Sequence, residues 1–217
     1  MSDGTAKLIE RLAAGAAPVR RLKPPAARAL LWLVAVAAIG AIAVFFFADM
    51  EVFRRRIADP ALMLELTATF VTGAAAVLAA FSLSLPDRSI GWALLPLPSL
   101  ALWIASSGYA CYRNWIVRGP TGWALGESAN CFIFILAVSV PLSASLLILL
   151  NRARPLAPLR AAAMGALGVS ALAAAALQFF HPFDVTFLDL GVHLSTIALV
   201  VLGVSAAELT LPRRASL

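Results

Sequence analysis

Residues 29–48 read ALLWLVAVAAIGAIAVFFFA, a run with no charged side chain, no hydroxyl and no proline. At about 1.5 Å of rise per residue, such a run makes a helix roughly 30 Å long, the thickness of a bilayer's hydrocarbon core. Five further apolar stretches follow, at 62–85, 90–109, 131–150, 161–180 and 185–207. The whole chain has 217 residues, 62% of them hydrophobic and only 13% charged, with a mean hydropathy of +0.92. Soluble domains sit nearer half apolar and a quarter charged, so an ordinary cytosolic globule is excluded. The expected fold class is all-α: a polytopic membrane protein of six transmembrane helices. Its organisation is a tail at 1–28, a membrane domain at 29–207 and a C-terminal tail at 208–217. Residues 1–28 are polar and basic and the first apolar run is full length, so no cleavable leader is expected.

Prolines punctuate these stretches. Pro60, Pro86, Pro155, Pro158 and Pro182 stand at or beyond the ends, whereas Pro96, Pro98 and Pro141 fall inside spans three and four and predict kinks. Small residues crowd spans two and five, around Gly73 and from Ala173 to Ala176. Small faces let helices approach closely in lipid, so these two spans are expected in the interior.

Charge gives an orientation. Lys7, Arg11, Arg20, Arg21, Lys23, Arg28, Arg88, Arg152, Arg154, Arg160, Arg213 and Arg214 fall on one side. Only Arg54, Arg55, Arg56, Arg113 and Arg118 fall on the other, so the positive-inside rule puts both termini in the cytoplasm. The net charge of +6 then reports loops and anionic lipid rather than nucleic acid, because no stacking aromatics interleave the basic residues.

That orientation collects unusual groups at the outer end. Cys111 follows span three and Cys131 opens span four; Glu65 lies inside the outer end of span two. His181 and Asp184 lie between spans five and six, and Asp189 and His193 share one face of span six. Ionisable groups at membrane depth usually face a bundle interior or a wet cavity. The plain reading is that Glu65, Asp189 and His193 hydrogen-bond across helices and that Cys131 is a buried small hydrophobe. Two chemical readings compete with it. A Cys111–Cys131 disulfide would close a loop of about 20 residues. A soft-metal site would use Cys131, His181, His193 and Cys111.

The chain carries no CxxC, HExxH or GxSxG motif and no phosphate-binding glycine loop, so no enzyme is expected. No resident cofactor is implied. A small ion-binding transporter or channel is the alternative class, although no convincing internal repeat supports it.

The tail is the remaining signal. Thr5 can cap a short helix that puts Leu8, Ile9 and Leu12 on one face and ends at Gly15. Pro18-Val-Arg-Arg-Leu-Lys-Pro-Pro25 then reads as an extended basic strip. A helix resting on the membrane surface is the plain alternative.

Taken in order, several short motifs resemble the NrsF family of membrane-embedded anti-sigma factors. They are Leu8-Ile-Glu-Arg-Leu12, Pro18-Val-Arg-Arg-Leu22, Ala58-Asp-Pro60, Leu64-Glu-Leu66 and Ala80-Phe-Ser-Leu-Ser-Leu-Pro86. Cys131, Pro141 and a His-Pro turn before span six complete the series. The resemblance implies a protein of the bacterial inner membrane whose tail holds an extracytoplasmic-function sigma factor away from RNA polymerase. The partner-binding residues would be Leu8, Ile9, Leu12, Val19 and Leu22, with Arg20 and Arg21 setting charge complementarity, and the chain itself would not touch DNA. It also implies a response to oxidative or heavy-metal stress through periplasmic cysteines. The family turn after span five reads His-Cys-Pro, but here it is Phe180-His181-Pro182, so His181 stands in place of the second cysteine. Either Cys111 then supplies a thiol partner for Cys131, or His181 joins Cys131 as a ligand for a transient soft metal ion, with His193 as a weaker partner.

Overall fold

The computed structural model describes residues 3–15, 22–119, 125–180 and 187–210, and among these there is no strand. The helices are α1 (Asp3–Ala14), α2 (Pro25–Phe47), α3 (Met50–Arg56), α4 (Pro60–Leu83), α5 (Leu97–Arg118), α6 (Leu125–Asn151), α7 (Pro158–Phe180) and α8 (Phe187–Thr210), with a 3-10 helix at Ile90–Leu94. Among the described residues, six segments are long and apolar enough to cross a membrane: α2, α4, Ile90–Val117, Ala129–Asn151 of α6, α7 and α8. The chain is therefore an all-helical, multi-pass architecture, as its composition requires.

Helix starts follow proline chemistry. α2, α4 and α7 begin at Pro25, Pro60 and Pro158, where a fixed φ suits the first turn and a missing N–H is no loss. α2 consequently begins ahead of residue 29, and α8 runs past 207 to Thr210. Asp59 caps α4 by accepting from the Ala61 N–H at 2.9 Å.

α4 and α7 form the interior, as their small residues imply, and their backbones nearly touch. A methyl group at Gly168 would stand 2.9 Å from the backbone nitrogen of Val77 and 3.0 Å from the carbonyl oxygen of Gly73. One at Gly73 would stand 2.7 Å from Leu172 Cγ. Contact this close is available only to glycine, and it lets Val77, Ala80, Val169 and Leu172 pack in one core. α8 and α6 lean on α7, α5 leans on α4, and α2 lies at the edge of the bundle. Trp32 anchors α2 by donating its indole N–H to Ser145 Oγ of α6 at 3.1 Å. Phe45, Phe46 and Phe47 at its far end point outward, the side offered to lipid.

Three details differ from the sequence reading. Pro96 and Pro98 do not kink a continuous third helix. Pro96 stands between the 3-10 helix at Ile90–Leu94 and α5 as the N-cap of α5, and Pro98 lies in the first turn of α5, where a missing N–H is no loss. α5 continues through Tyr112, Arg113 and Asn114 to Arg118, and α6 begins by Leu125, so Cys111 and Cys131 lie within helices rather than at a loop's edges. Finally, the Arg54-Arg55-Arg56 run belongs to the short helix α3, capped by Asp49, whose side chain accepts from the N–H groups of Glu51 and Val52.

Candidate functional site

At the end of the bundle where α3 lies, a buried polar cluster crosses three of the spanning helices. Glu65 of α4 is only 5% exposed. Its Oε1 accepts from Ser107 Oγ of α5 at 2.8 Å and from Gln178 Nε2 of α7 at 3.3 Å. Arg56 of α3 reaches over the end of α7 and donates to the Gln178 carbonyl at 3.1 Å and to its Oε1 at 3.4 Å. The amide of Gln178 thus stands between a guanidinium and a carboxyl group, accepting a hydrogen bond from one and donating one to the other. Phe53, one turn before Arg56, stacks on Phe179 with ring centroids 4.4 Å apart and seats α3 against α7.

These contacts occupy two of the three arginines in the run at 54–56. Arg55 pairs with Glu51, and Arg56 is turned inward onto Gln178. Beside them Arg113 pairs with Asp59 at 2.5 Å, and that hydrogen bond, with the Ala61 N–H, holds the Asp59 carboxyl below the usual carboxylate range. A cavity of about 260 Å3 opens here, lined by Arg55, Arg56, Asp59, Glu65, Arg113 and Asn114 among others.

The two cysteines are placed differently. Cys131 is 1% exposed and belongs to a buried cluster with Ile135, Ala173 and Leu177, the last of which precedes Gln178 in α7. Cys111, also 1% exposed, lies within electrostatic reach of Glu65 and Asp189. Neither cysteine is in a disulfide. α5 and α6, which carry them, do not pack extensively on each other. Asp189 is buried and His193 half-buried on α8, both engaged in polar or electrostatic contacts. Among the described residues, no group of three or more His, Cys, Asp or Glu side chains gathers in metal-binding geometry. His181 and Asp184 lie outside the described residues.

The tail helix α1 begins at Asp3, which places Thr5 inside it rather than at its cap, and it closes with Gly15 N–H donating to the Arg11 carbonyl at 3.2 Å. Leu8, Ile9 and Leu12 are 57%, 53% and 67% exposed, and α1 packs extensively on no other described helix. Leu22 is exposed as well, while Val19, Arg20 and Arg21 lie outside the described residues.

Ser107, Gln178 and Arg56 did not stand out in the sequence. A lone glutamine at the end of an alanine-rich span was the available signal, because an amide in hydrocarbon needs partners.

No curated protein and no solved structure matches the chain. The family described as negative regulator of sigma F, NrsF, matches residues 12–211. That match begins at Leu12, inside α1, and runs past the end of α8, taking in every spanning helix and the whole polar cluster. An all-helical bundle with six membrane-length segments, bearing an exposed amphipathic helix ahead of them, is thereby assigned: the chain belongs to the NrsF family of negative regulators of a sigma factor.

Proposed function

We propose that the chain is an inner-membrane anti-sigma factor that holds an extracytoplasmic-function sigma factor on its cytoplasmic tail and releases it on an oxidative or heavy-metal signal received at the opposite end. The observation that carries this reading is the exposure of Leu8, Ile9 and Leu12 on a helix outside the bundle. Three large apolar side chains on one short helix gain roughly 1.5–3 kcal/mol each when a partner covers them. A sigma factor is the partner the family implies. Val19, Arg20, Arg21 and Leu22 extend the contact along the basic strip, and the lipid bilayer holds the six spans. The chain acts by binding, without catalysis and without a resident cofactor.

Cys131 is the receiving residue in this reading. It shares a buried cluster with Leu177, whose neighbour Gln178 bonds Glu65 and Arg56, and this adjacency offers a route from the thiol to α3, α4 and α5. A soft metal ion held transiently by the Cys131 thiolate and His181 is the signal favoured by that ligand pair.

The test is capture from the native cell. The tagged full-length chain, solubilised from membranes, is expected to carry a sigma factor with it. Deleting the gene is expected to raise transcription dependent on that sigma factor. A chain that brings down no sigma factor, in a deletion strain with unchanged transcription, would refute the reading.

A further inference from the structure

At the other end of the bundle, Lys23, Arg28 and Arg152 line one cavity of about 640 Å3, whose remaining wall includes Leu31, Trp32 and Phe81. Among the described residues no carboxylate lines it. Among the described residues none of the three cations has an ion pair, whereas at the opposite end Arg55 and Arg113 both do. The Arg28 guanidinium lies over the Phe81 ring, 4.9 Å from its centroid. Its Nη2 donates to the Leu149 carbonyl, and its Nη1 is buried without an acceptor. α2 begins here with no acid in its first turn and no side-chain cap, so its dipole adds positive potential to the same place. Positive charge gathers in this cavity without an ion pair among the described residues; the Glu208 carboxylate at this end bonds the amide of Asn151 instead.

The walls decide what kind of anion fits. Inorganic phosphate meets the charges but gains nothing from Leu31, Trp32 and Phe81. A zwitterionic lipid brings a cation of its own into a basic site. An anionic phospholipid satisfies both halves, with a phosphodiester for the guanidinium groups and a chain for the apolar wall. We propose that this cavity binds one anionic phospholipid, its phosphate among Lys23, Arg28 and Arg152 and an acyl chain along Leu31, Trp32 and Phe81. The inference rests on the membrane location argued above. Because Lys23 belongs to the segment that joins the tail to α2, the bound lipid fastens the root of the tail to the ends of α4 and α6.

The experiment uses the full-length chain in detergent and native mass spectrometry to count retained lipid. Phosphatidylglycerol is expected to be retained at least tenfold more tightly than phosphatidylcholine, and millimolar inorganic phosphate is expected not to displace it. At about fivefold per cation near a lipid head group, Arg28→Gln with Arg152→Gln should weaken phosphatidylglycerol roughly twentyfold, and the exposed Lys23→Gln alone about fivefold. Arg55→Gln, at the far end, should change nothing. Equal retention of the two lipids, or a preference that survives both the double variant and Lys23→Gln, would overturn the site. Displacement by phosphate would overturn the lipid in favour of a plain anion site. Failure to retain any phospholipid would overturn the membrane location together with the site.

Discussion

Gln178 of α7 donates its side-chain Nε2–H to Oε1 of Glu65 in α4 across 3.3 Å, where that carboxylate is buried between spanning helices. Arg56 bonds the same glutamine, and Ser107 bonds the same carboxylate oxygen. Four helices are therefore tied through one amide and one carboxylate. Each group has a partner, which is the condition under which buried polar groups are tolerated in an apolar bundle.

Removing the central amide should be the most damaging single change in the cluster. Gln178→Leu leaves Glu65 with one donor fewer and removes one of the acceptors of Arg56, and is expected to destabilise the bundle by about 1–3 kcal/mol. Glu65→Gln keeps an acceptor oxygen for Ser107 and Gln178 and should cost less than about 1 kcal/mol. Thermal unfolding of both variants in one detergent ranks them. A Gln178→Leu protein as stable as the parent would mean that the network carries no net stability.

The contact between α4 and α7 predicts a glycine-specific effect. Gly168→Ala places a methyl group against the Val77 backbone, which cannot yield as a flexible side chain would, so the helices must separate. A loss of about 2–4 kcal/mol is expected, in the range of other severe packing defects. Gly203→Ala, on α8 with open space around the new methyl, should be neutral or stabilising by up to about 1 kcal/mol. Equal stability of the two variants, measured by the same unfolding assay, would contradict the close approach.

Asp59 and Arg113 predict a pH dependence. The folded Asp59 carboxyl titrates below its unfolded value, so its contribution is complete above the unfolded pKa of about 3.9 and fades as pH falls through the lower folded value. Both partners are substantially exposed, which limits the pair to about 0–1 kcal/mol. Asp59→Asn keeps an oxygen for the Ala61 N–H and removes only the charge. The gap between parent and variant should be larger at pH 7 than at pH 3. A gap of the same size at both pH values would assign the effect to the cap instead.

The interior position of α4 and α7 was legible because glycine and alanine in a spanning run act directly on helix separation. The polar cluster was legible by half. Glu65 announced itself as a carboxylate in hydrocarbon, and its bonds to Ser107 and Gln178 are the cross-helix bonds expected of it. Its partners were hidden, since an isolated serine or glutamine does not say which neighbour it meets. α3 was missed because seven residues cannot register as a hydropathy pattern, although Asp49 was its cap and Phe53 its buried anchor. The cysteines were set at loop edges because hydropathy falls at Arg113, while the backbone hydrogen bonds of α5 continue to Arg118.

For the tail, exposure of Leu8 and Leu12 predicts a contact that charge will break. Replacing both with Asp should weaken sigma-factor capture by two or more orders of magnitude, since it forfeits two apolar burials and puts carboxylates in their place. Neither side chain packs in the bundle, so the variant should reach the membrane in parental amounts. Sigma-dependent transcription should become constitutive. Unchanged repression in that variant would place the contact elsewhere, on the strip around Leu22 or on the loops.

Sensing separates two chemistries. A disulfide requires two cysteines with Cα atoms within about 7 Å, and Cys111 and Cys131 are buried on helices that do not pack extensively together. Oxidative pairing would therefore demand a rearrangement of the bundle. Cys131 shares a buried cluster with Leu177, four residues before His181 in the sequence, and a thiolate with an imidazole suits a soft cation. A cadmium-like ion is therefore expected to induce sigma-factor release, and a mild disulfide-forming oxidant to induce little. Cys131→Ser and His181→Ala should each abolish the metal response, and Cys111→Ser should leave it intact. The opposite pattern, with oxidant induction lost in Cys111→Ser and retained in His181→Ala, would establish the two thiols as the sensor and require α5 and α6 to meet in the oxidised state. Normal responses in all three variants would make both cysteines packing residues and move the sensor to the carboxylate cluster around Glu65.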